Sequence, residues 1–157
     1  MNREQIEKMF AHFLRERTLK LTAQRRRILA HAFGAGDHFS AETLYDRLRQ
    51  EEGPRISRAT VYRTLGLLVE GGFLGALDVR RGEKLYEHVL GRAHHDHLVC
   101  IDCGRIEEFS DAEIERLQRE ACRAAGWEMA DHNLRLFGVC PACQAARDGQ
   151  AGAPPGR

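Results

Sequence analysis

An α+β fold in two parts is what this 157-residue sequence predicts, and three observations carry that reading. Four stretches with apolar residues at helical spacing precede two short runs of β type. The charge balance reverses near residue 92: residues 1–92 hold 17 Lys and Arg against 12 Asp and Glu, and residues 93–157 hold 7 against 11. Two Cys-x-x-Cys knuckles, separated by 36 residues, lie in the acidic part. A basic half joined to an acidic, His- and Cys-rich half points to a polyanion-binding module fused to a metal-binding one.

The elements follow in order. From about Asn2 to Arg17, the residues Ile6, Met9, Phe10, Phe13 and Leu14 recur at helical spacing. Thr22 can cap a second helix bearing Ile28, Leu29, Ala32 and Phe33, which runs into Gly34-Ala35-Gly36. Ser40 can cap a third, with Leu44, Tyr45 and Leu48 on one face, broken by the turn Glu52 to Ile56. Ser57 opens a fourth, SRATVYRTLGLLVEGG, stopped by Gly71-Gly72. The period then changes: GFLGALDV and EKLYEHV read as a hairpin turning at Arg80-Arg81-Gly82. Helix, turn, helix and a two-stranded ribbon with a basic tip outline an N-terminal winged helix-turn-helix domain. GRAHHD leads into the second part. There HLVCI and RIEEF flank the turn Asp102-Cys103-Gly104, and a helix, DAEIERLQREACRAAG, follows. Its apolar side is Ile114, Leu117, Gln118, Ala121, Cys122 and Ala125; a further strand, EMADHNLRLFGVC, precedes the second knuckle. The Gly-, Ala- and Pro-rich tail from about Ala145 reads as disordered.

Two thiolates per knuckle make a tetrahedral four-sulfur zinc site from Cys100, Cys103, Cys140 and Cys143. No βαβ pattern favours a redox Cys-x-x-Cys, and no histidine is followed two places later by the Glu a zinc deaminase needs. Cys122 reads as a buried small hydrophobe. The N-terminus carries charges where a signal peptide has its apolar stretch, and no run of about 18 apolar residues exists. The expectation is therefore a cytoplasmic chain in a reducing pool, where metal explains four cysteines better than disulfides do.

The run His94-His95-Asp96-His97 is dense in ligands. If it is extended, successive side chains leave by opposite faces. His94 and Asp96 then face one way, and His95 and His97 the other. One such run seeds two metal sites rather than one, and the cysteines form a third. The groups available to complete them are His38, Glu87, Glu107 or Glu108, Glu115 and His132.

The stretches LKLTAQR, HFSAETLYDRL, ISRATVYRTL, KLYEH, HHDHLVCIDCGRIEEF, EIERLQRE and DHNLRLFGVC resemble the ferric uptake regulator family, from about Leu19 to Cys143. The resemblance implies a dimeric, metal-dependent bacterial repressor with a winged helix over residues 1–89, a hinge at 90–93 and a small α/β dimerisation domain over 94–144. Carried over residue by residue, the family's regulatory site falls on His38, Glu87, His95, His97 and Glu108. A second site, in the dimerisation domain, falls on His94, Asp96, Glu115 and His132. Tyr62 and Arg63 match base-contacting residues of the recognition helix, and Lys20 matches a minor-groove residue. Arg25, Arg58 and Thr60 complete the expected DNA surface. The chain departs from some members by having Ala93 before the ligand run and a hinge one residue longer. Glu108, where peroxide-sensing members tend to carry Asp, leans toward metal uptake.

The expected cofactors are structural zinc and a regulatory Fe(II), with Mn(II), Co(II) or Zn(II) suited to the same imidazole and carboxylate donors. The expected partners are an operator in double-stranded DNA and a second copy of the chain, with no membrane and no small-molecule substrate. No G-x-S-x-G, P-loop or H-E-x-x-H pattern supports an enzyme. The competing readings are a peroxide-, zinc- or manganese-responsive member of the family, and a constitutive zinc-ribbon nucleic-acid-binding module. Histidine must be neutral to ligate, so metal-dependent DNA binding is expected to weaken below about pH 6.

Overall fold

A computed structural model of the chain describes residues 2–35, 38–79 and 83–151, in two compact units, Met1–Ala93 and His94–Arg157. The first unit opens with helices α1 (Arg3–Glu16) and α2 (Ala23–Gly34), followed by the short strand β1 (His38–Ser40). Helices α3 (Ala41–Gln50) and α4 (Arg58–Glu70) come next, then strands β2 (Leu74–Val79) and β3 (Glu83–His88). Each helix starts where a short polar side chain can accept an otherwise orphaned backbone N–H. Asn2 forms a capping box with Gln5, Thr22 accepts from Arg25, Ser40 from Thr43 and Ser57 from Thr60.

The core of this unit is a continuous apolar cluster. Phe10 and Leu14 of α1, Ile28 of α2, Leu44 of α3, and Val61, Leu65 and Leu68 of α4 are fully buried. Phe73, just before β2, meets Phe10 edge-on at 5.4 Å between ring centroids. On α4 the buried residues Val61, Thr64, Leu65 and Leu68 form one stripe. Helical geometry therefore turns Arg58, Ala59, Tyr62, Arg63 and Gly66 outward, and all five are exposed. The wing is a three-stranded antiparallel sheet in the order β1-β3-β2, where the sequence predicts only the β2–β3 pair. The expected turn at Arg80-Arg81-Gly82 lies outside the described residues, as does Gly36.

The second unit contains strands β4 (Asp96–Cys100) and β5 (Ile106–Phe109), helix α5 (Ala112–Ala124), strand β6 (Arg135–Gly138) and helix α6 (Pro141–Ala151). The sheet order is β5-β4-β6, with β5 antiparallel and β6 parallel to β4. Asp111 caps α5 through the N–H groups of Glu113 and Ile114. Two expectations are corrected here. The long strand predicted over residues 128–140 is reduced to Arg135–Gly138, the segment that β4 can pair. Residues 141–151 are helical where a disordered tail was expected from Ala145. Pro141 supplies a fixed φ at the start of that helix, and Arg147 reaches back to Asp102 at 2.6 Å. The tail beyond residue 151 lies outside the described residues.

This unit buries few apolar side chains. Among its described hydrophobic residues, only Val99 and Cys100 are buried, and α5 buries none at all. Asp96 and His97, both polar, are as enclosed as those two. Among the described residues of either unit, no helix is long and apolar enough to cross a membrane.

The two units differ in what a core truncation should do. Leu65→Ala removes a fully buried side chain from the first, and is expected to lower its stability by about 2–5 kcal/mol. Chemical denaturation of the full chain, followed by a probe confined to the first unit, measures that loss.

Candidate functional site

The four knuckle sulfurs lie within 4.8 Å of one another. Cys100 ends β4 and Cys103 sits in the turn before β5, where Gly104 adopts φ 76° and donates its N–H to the Cys100 carbonyl. Cys140 precedes α6 and Cys143 lies in its first turn. Cys103 Sγ and Cys140 Sγ are 3.8 Å apart. A tetrahedral zinc with Zn–S bonds of about 2.3 Å sets its sulfurs roughly 3.8 Å from one another, so the donor set fits that ion. The four thiols are not equivalent. Backbone N–H groups of Cys103 and Cys140 point at the Cys100 sulfur and lower its pKa to about 6, favouring thiolate. Cys143 is raised to about 12, because its thiol hydrogen-bonds to Cys140 and Cys103 and is partly desolvated.

The run at residues 94–97 divides between two groups. In the first, His94 Nε2 lies 3.1 Å from Asp96 Oδ1 and 3.3 Å from Glu115 Oε1, while His132 Nε2 lies 2.8 Å from the same Glu115 oxygen. The His94 and His132 rings are 4.1 Å apart, and ligand atoms from all four residues lie within 4.8 Å of one another. Asp96 Oδ2 is buried without a hydrogen-bond partner. Two imidazoles, two carboxylates and a buried carboxylate oxygen lacking a donor are a set that a divalent cation satisfies. The structure thus brings together His94, Asp96, Glu115 and His132, which come from β4 and its approach, α5 and the segment before β6.

The other group on this unit is His95, His97 and Glu108. His97 pairs in register with Glu108 across β4 and β5. His95 Nε2 lies 3.8 Å from Glu108 Oε1, and its ring is 5.0 Å from that of His97. Glu107, the neighbouring alternative, is exposed and pairs with Arg105. On the first unit, His38 and Glu87 are register partners across β1 and β3, with Nε2 and Oε2 3.5 Å apart. Gly75 faces Glu87 from β2; a Cβ there would stand 3.1 Å from the Glu87 carboxylate, so the glycine leaves that side chain its room.

The outward face of α4 carries Arg58, Tyr62 and Arg63. Arg63 Nε donates to the carbonyl of Ala59 in its own helix. Thr60 is half-buried, and its N–H and hydroxyl are engaged with Ser57 in the helix cap. Lys20 is exposed in the α1–α2 connection, and Arg25 donates to its carbonyl at 2.6 Å, bracing that loop. One residue that sequence reasoning missed is Glu42, in the first turn of α3. It accepts from the Tyr62 hydroxyl at 3.3 Å and pairs with Arg58 at 3.2 Å. Only the folded contact between α3 and α4 reveals it, since it lies 20 residues from Tyr62.

Zinc must displace the proton that Cys143 retains near neutral pH. Titrating zinc into metal-free protein in weak buffer at pH 7 is expected to release protons. Affinity should rise with pH, because Cys143 holds its proton well above the Cys100 value. Binding without proton release would refute four-thiolate ligation.

Comparison with known proteins adds to this geometry. The family described as "Ferric uptake regulator family" matches residues 16–137. The ferric uptake regulation protein of Neisseria meningitidis serogroup A is 41% identical over 133 residues, covering 84% of this chain and 91% of its own. The Helicobacter pylori ferric uptake regulator, a structure described as revealing three functional metal-binding sites, superimposes with a TM-score of 0.80 at 30% identity. That match covers 92% of this chain and 95% of the other. The ferric uptake regulator from Francisella tularensis with iron gives a TM-score of 0.70 at 31% identity, covering 80% and 95%. With the winged helix, the three ligand groups and this shared sequence in place, the chain belongs to the ferric uptake regulator family of metal-responsive transcriptional regulators.

Proposed function

We propose that the chain is a homodimeric, iron-responsive repressor whose regulatory ion is held jointly by His38 and Glu87 of the first unit and by His95, His97 and Glu108 of the second. One observation carries this reading: each half of the donor set is already assembled within its own sheet, His38 opposite Glu87 and His97 opposite Glu108. Half a ligand set on each unit gives a divalent ion reason to join them. When bound, the ion supplies coordinate bonds that tie the two units together. His38 then fixes β1, and with it the cap of α3, so the helix-turn-helix presents α4 to the major groove at a defined spacing in the dimer. Fe(II) is the regulatory ion of this reading, and Mn(II), Co(II) and Zn(II) suit the same donors. The iron-bound relative and the Glu at position 108 favour iron uptake over peroxide sensing. Zinc on the four cysteines is structural, and the domain limits are a DNA-binding part over 1–89, a hinge at 90–93 and a dimerisation part over 94–144.

The second copy is supported by what α5 and its sheet leave uncovered. Leu98, Leu117, Trp127 and Leu136 are all exposed, Trp127 at 73%. A unit with so little internal apolar burial gains most by pairing that surface with another copy of itself.

On the DNA side, Tyr62 and Arg63 read base edges, Lys20 enters the minor groove, and Arg25 and Arg58 neutralise phosphate. Thr60 contributes by holding the start of α4.

Two measurements test the proposal. His97→Ala, with zinc retained on the cysteines, is expected to reduce the metal-dependent gain in operator affinity by about 5–150-fold, the range of a typical coupling. Equal DNA affinity for the metal-free and iron-loaded wild-type dimer, both zinc-replete, would overturn the clamp. Arg63→Ala should cost about 1–3 kcal/mol on the operator and relax specificity at one base pair. A loss of the same size on unrelated DNA would make Arg63 a phosphate contact only.

A further inference from the structure

The turn between α3 and α4 borders an open cavity of about 690 Å³ that the base-reading face does not use. Its walls include Tyr45 and Arg49 from α3, Glu51 and Arg55 from the turn, and Arg58 at the first position of α4. We propose that this cavity is a second phosphate site, which takes phosphodiester groups of the DNA backbone through Arg49 and Arg55. The inference rests on the DNA-binding reading above and extends its footprint beyond α4.

Charge is the first argument. Three guanidinium groups face one carboxylate, and that carboxylate is already engaged: Glu51 Oε2 lies 2.8 Å from His31 Nε2 and 3.8 Å from Arg27. Arg58 is paired with Glu42. Arg49 and Arg55 form no ion pair among the described residues, so three guanidinium groups and one carboxylate leave the cavity lining with a net positive charge. An anion from outside lowers that repulsion.

Preorganisation is the second. Arg49 and Arg58 both lie over the Tyr45 ring, with Cζ 5.6 and 5.2 Å from its centroid. A shared aromatic platform limits the freedom of two long side chains, so less entropy is lost when they bind. The cavity also adjoins the N-terminal end of α4, whose first turn holds no acidic residue. The positive end of the helix dipole therefore adds to the field of the arginines.

Position is the third. Arg55 lies in the turn and Arg49 on the last turn of α3, off the exposed stripe of α4 that carries Tyr62 and Arg63. Side chains placed beside a recognition helix and off its reading face suit the backbone that flanks the groove. A planar guanidinium fork matches the paired oxygens of a phosphodiester. Four charged side chains around the cavity argue against an apolar occupant.

The test uses full-length, zinc- and iron-loaded protein with Arg49 and Arg55 both changed to Gln. The probes are a duplex selected from random sequence by the wild-type protein and an unrelated duplex of equal length. Two lost phosphate contacts should reduce the slope of log affinity against log salt by about 1.8, on both duplexes alike. Between 50 and 200 mM salt, the variant should therefore lose about twelvefold less affinity than the wild type. Changing both residues to Lys should restore most of the slope. Metal content and thermal midpoint, measured alongside, should match the wild type and so exclude a misfolded variant. An unchanged slope would overturn the site, and so would a loss confined to the selected duplex, which would make these arginines base readers. Either result leaves the parent reading intact, because that one fails only if wild-type DNA affinity is indifferent to metal.

Discussion

The second unit is built around polar side chains that converge in clusters able to hold a cation. Its interior positions hold Asp96, His97 and Cys100, and among the described residues Val99 is the one buried aliphatic side chain beside them. A unit of this size normally draws its stability from apolar burial, and where that is lacking metals or oligomerisation take its place. Imidazole, carboxylate and thiolate ligand atoms lie there within 4.8 Å of one another, and where an ion binds such a cluster, binding and folding share one free energy. The same shortage leaves the apolar stripe of α5 at most half-buried, with Leu117 exposed. The first unit shows the opposite economy, with a continuous apolar cluster that needs no ion.

The alternation of a β-strand then distributes the ligands. Asp96 and His97, consecutive on β4, leave by opposite faces, and with His94 and His95 just before the strand one short run reaches two groups. Asp96 and His97 are both enclosed, yet one belongs with His94, Glu115 and His132, and the other with Glu108. A shift of register by one residue would exchange the two sets. The pairing of β4 with both β5 and β6 is what fixes it.

Much of this was legible in the sequence because it is local. Helix starts at Thr22, Ser40, Ser57 and Asp111 depend on a hydroxyl or carboxylate accepting an N–H two or three residues on, and the structure shows all four. The knuckles and the alternation at 94–97 are local as well. What escaped notice depends on distant partners. Strand β1 exists because His38, Phe39 and Ser40 find Glu87, Tyr86 and Leu85, and three residues carry no periodicity of their own. Residues 128–134 alternate without becoming strand, and β4 reaches their end through the His97 N–H, which donates to the Leu134 carbonyl. Helix α6 was masked by its Gly and Ala content, although Pro141 starts it and Asp102 holds Arg147. Glu42 and the Tyr45 platform are visible only once α3 lies against α4.

Strand β1 also performs two tasks within three residues. Its first residue, His38, faces Glu87, and its last, Ser40, accepts the N–H of Thr43 and so anchors α3. No flexible segment separates the imidazole from the helix that Glu42 ties to Tyr62 and Arg58. In the function proposed above, a pull on that ring would reach the α4 face through stiff backbone rather than through a diffuse change in mobility. On that proposal the signal would travel as a short mechanical linkage, with little slack in which to lose it.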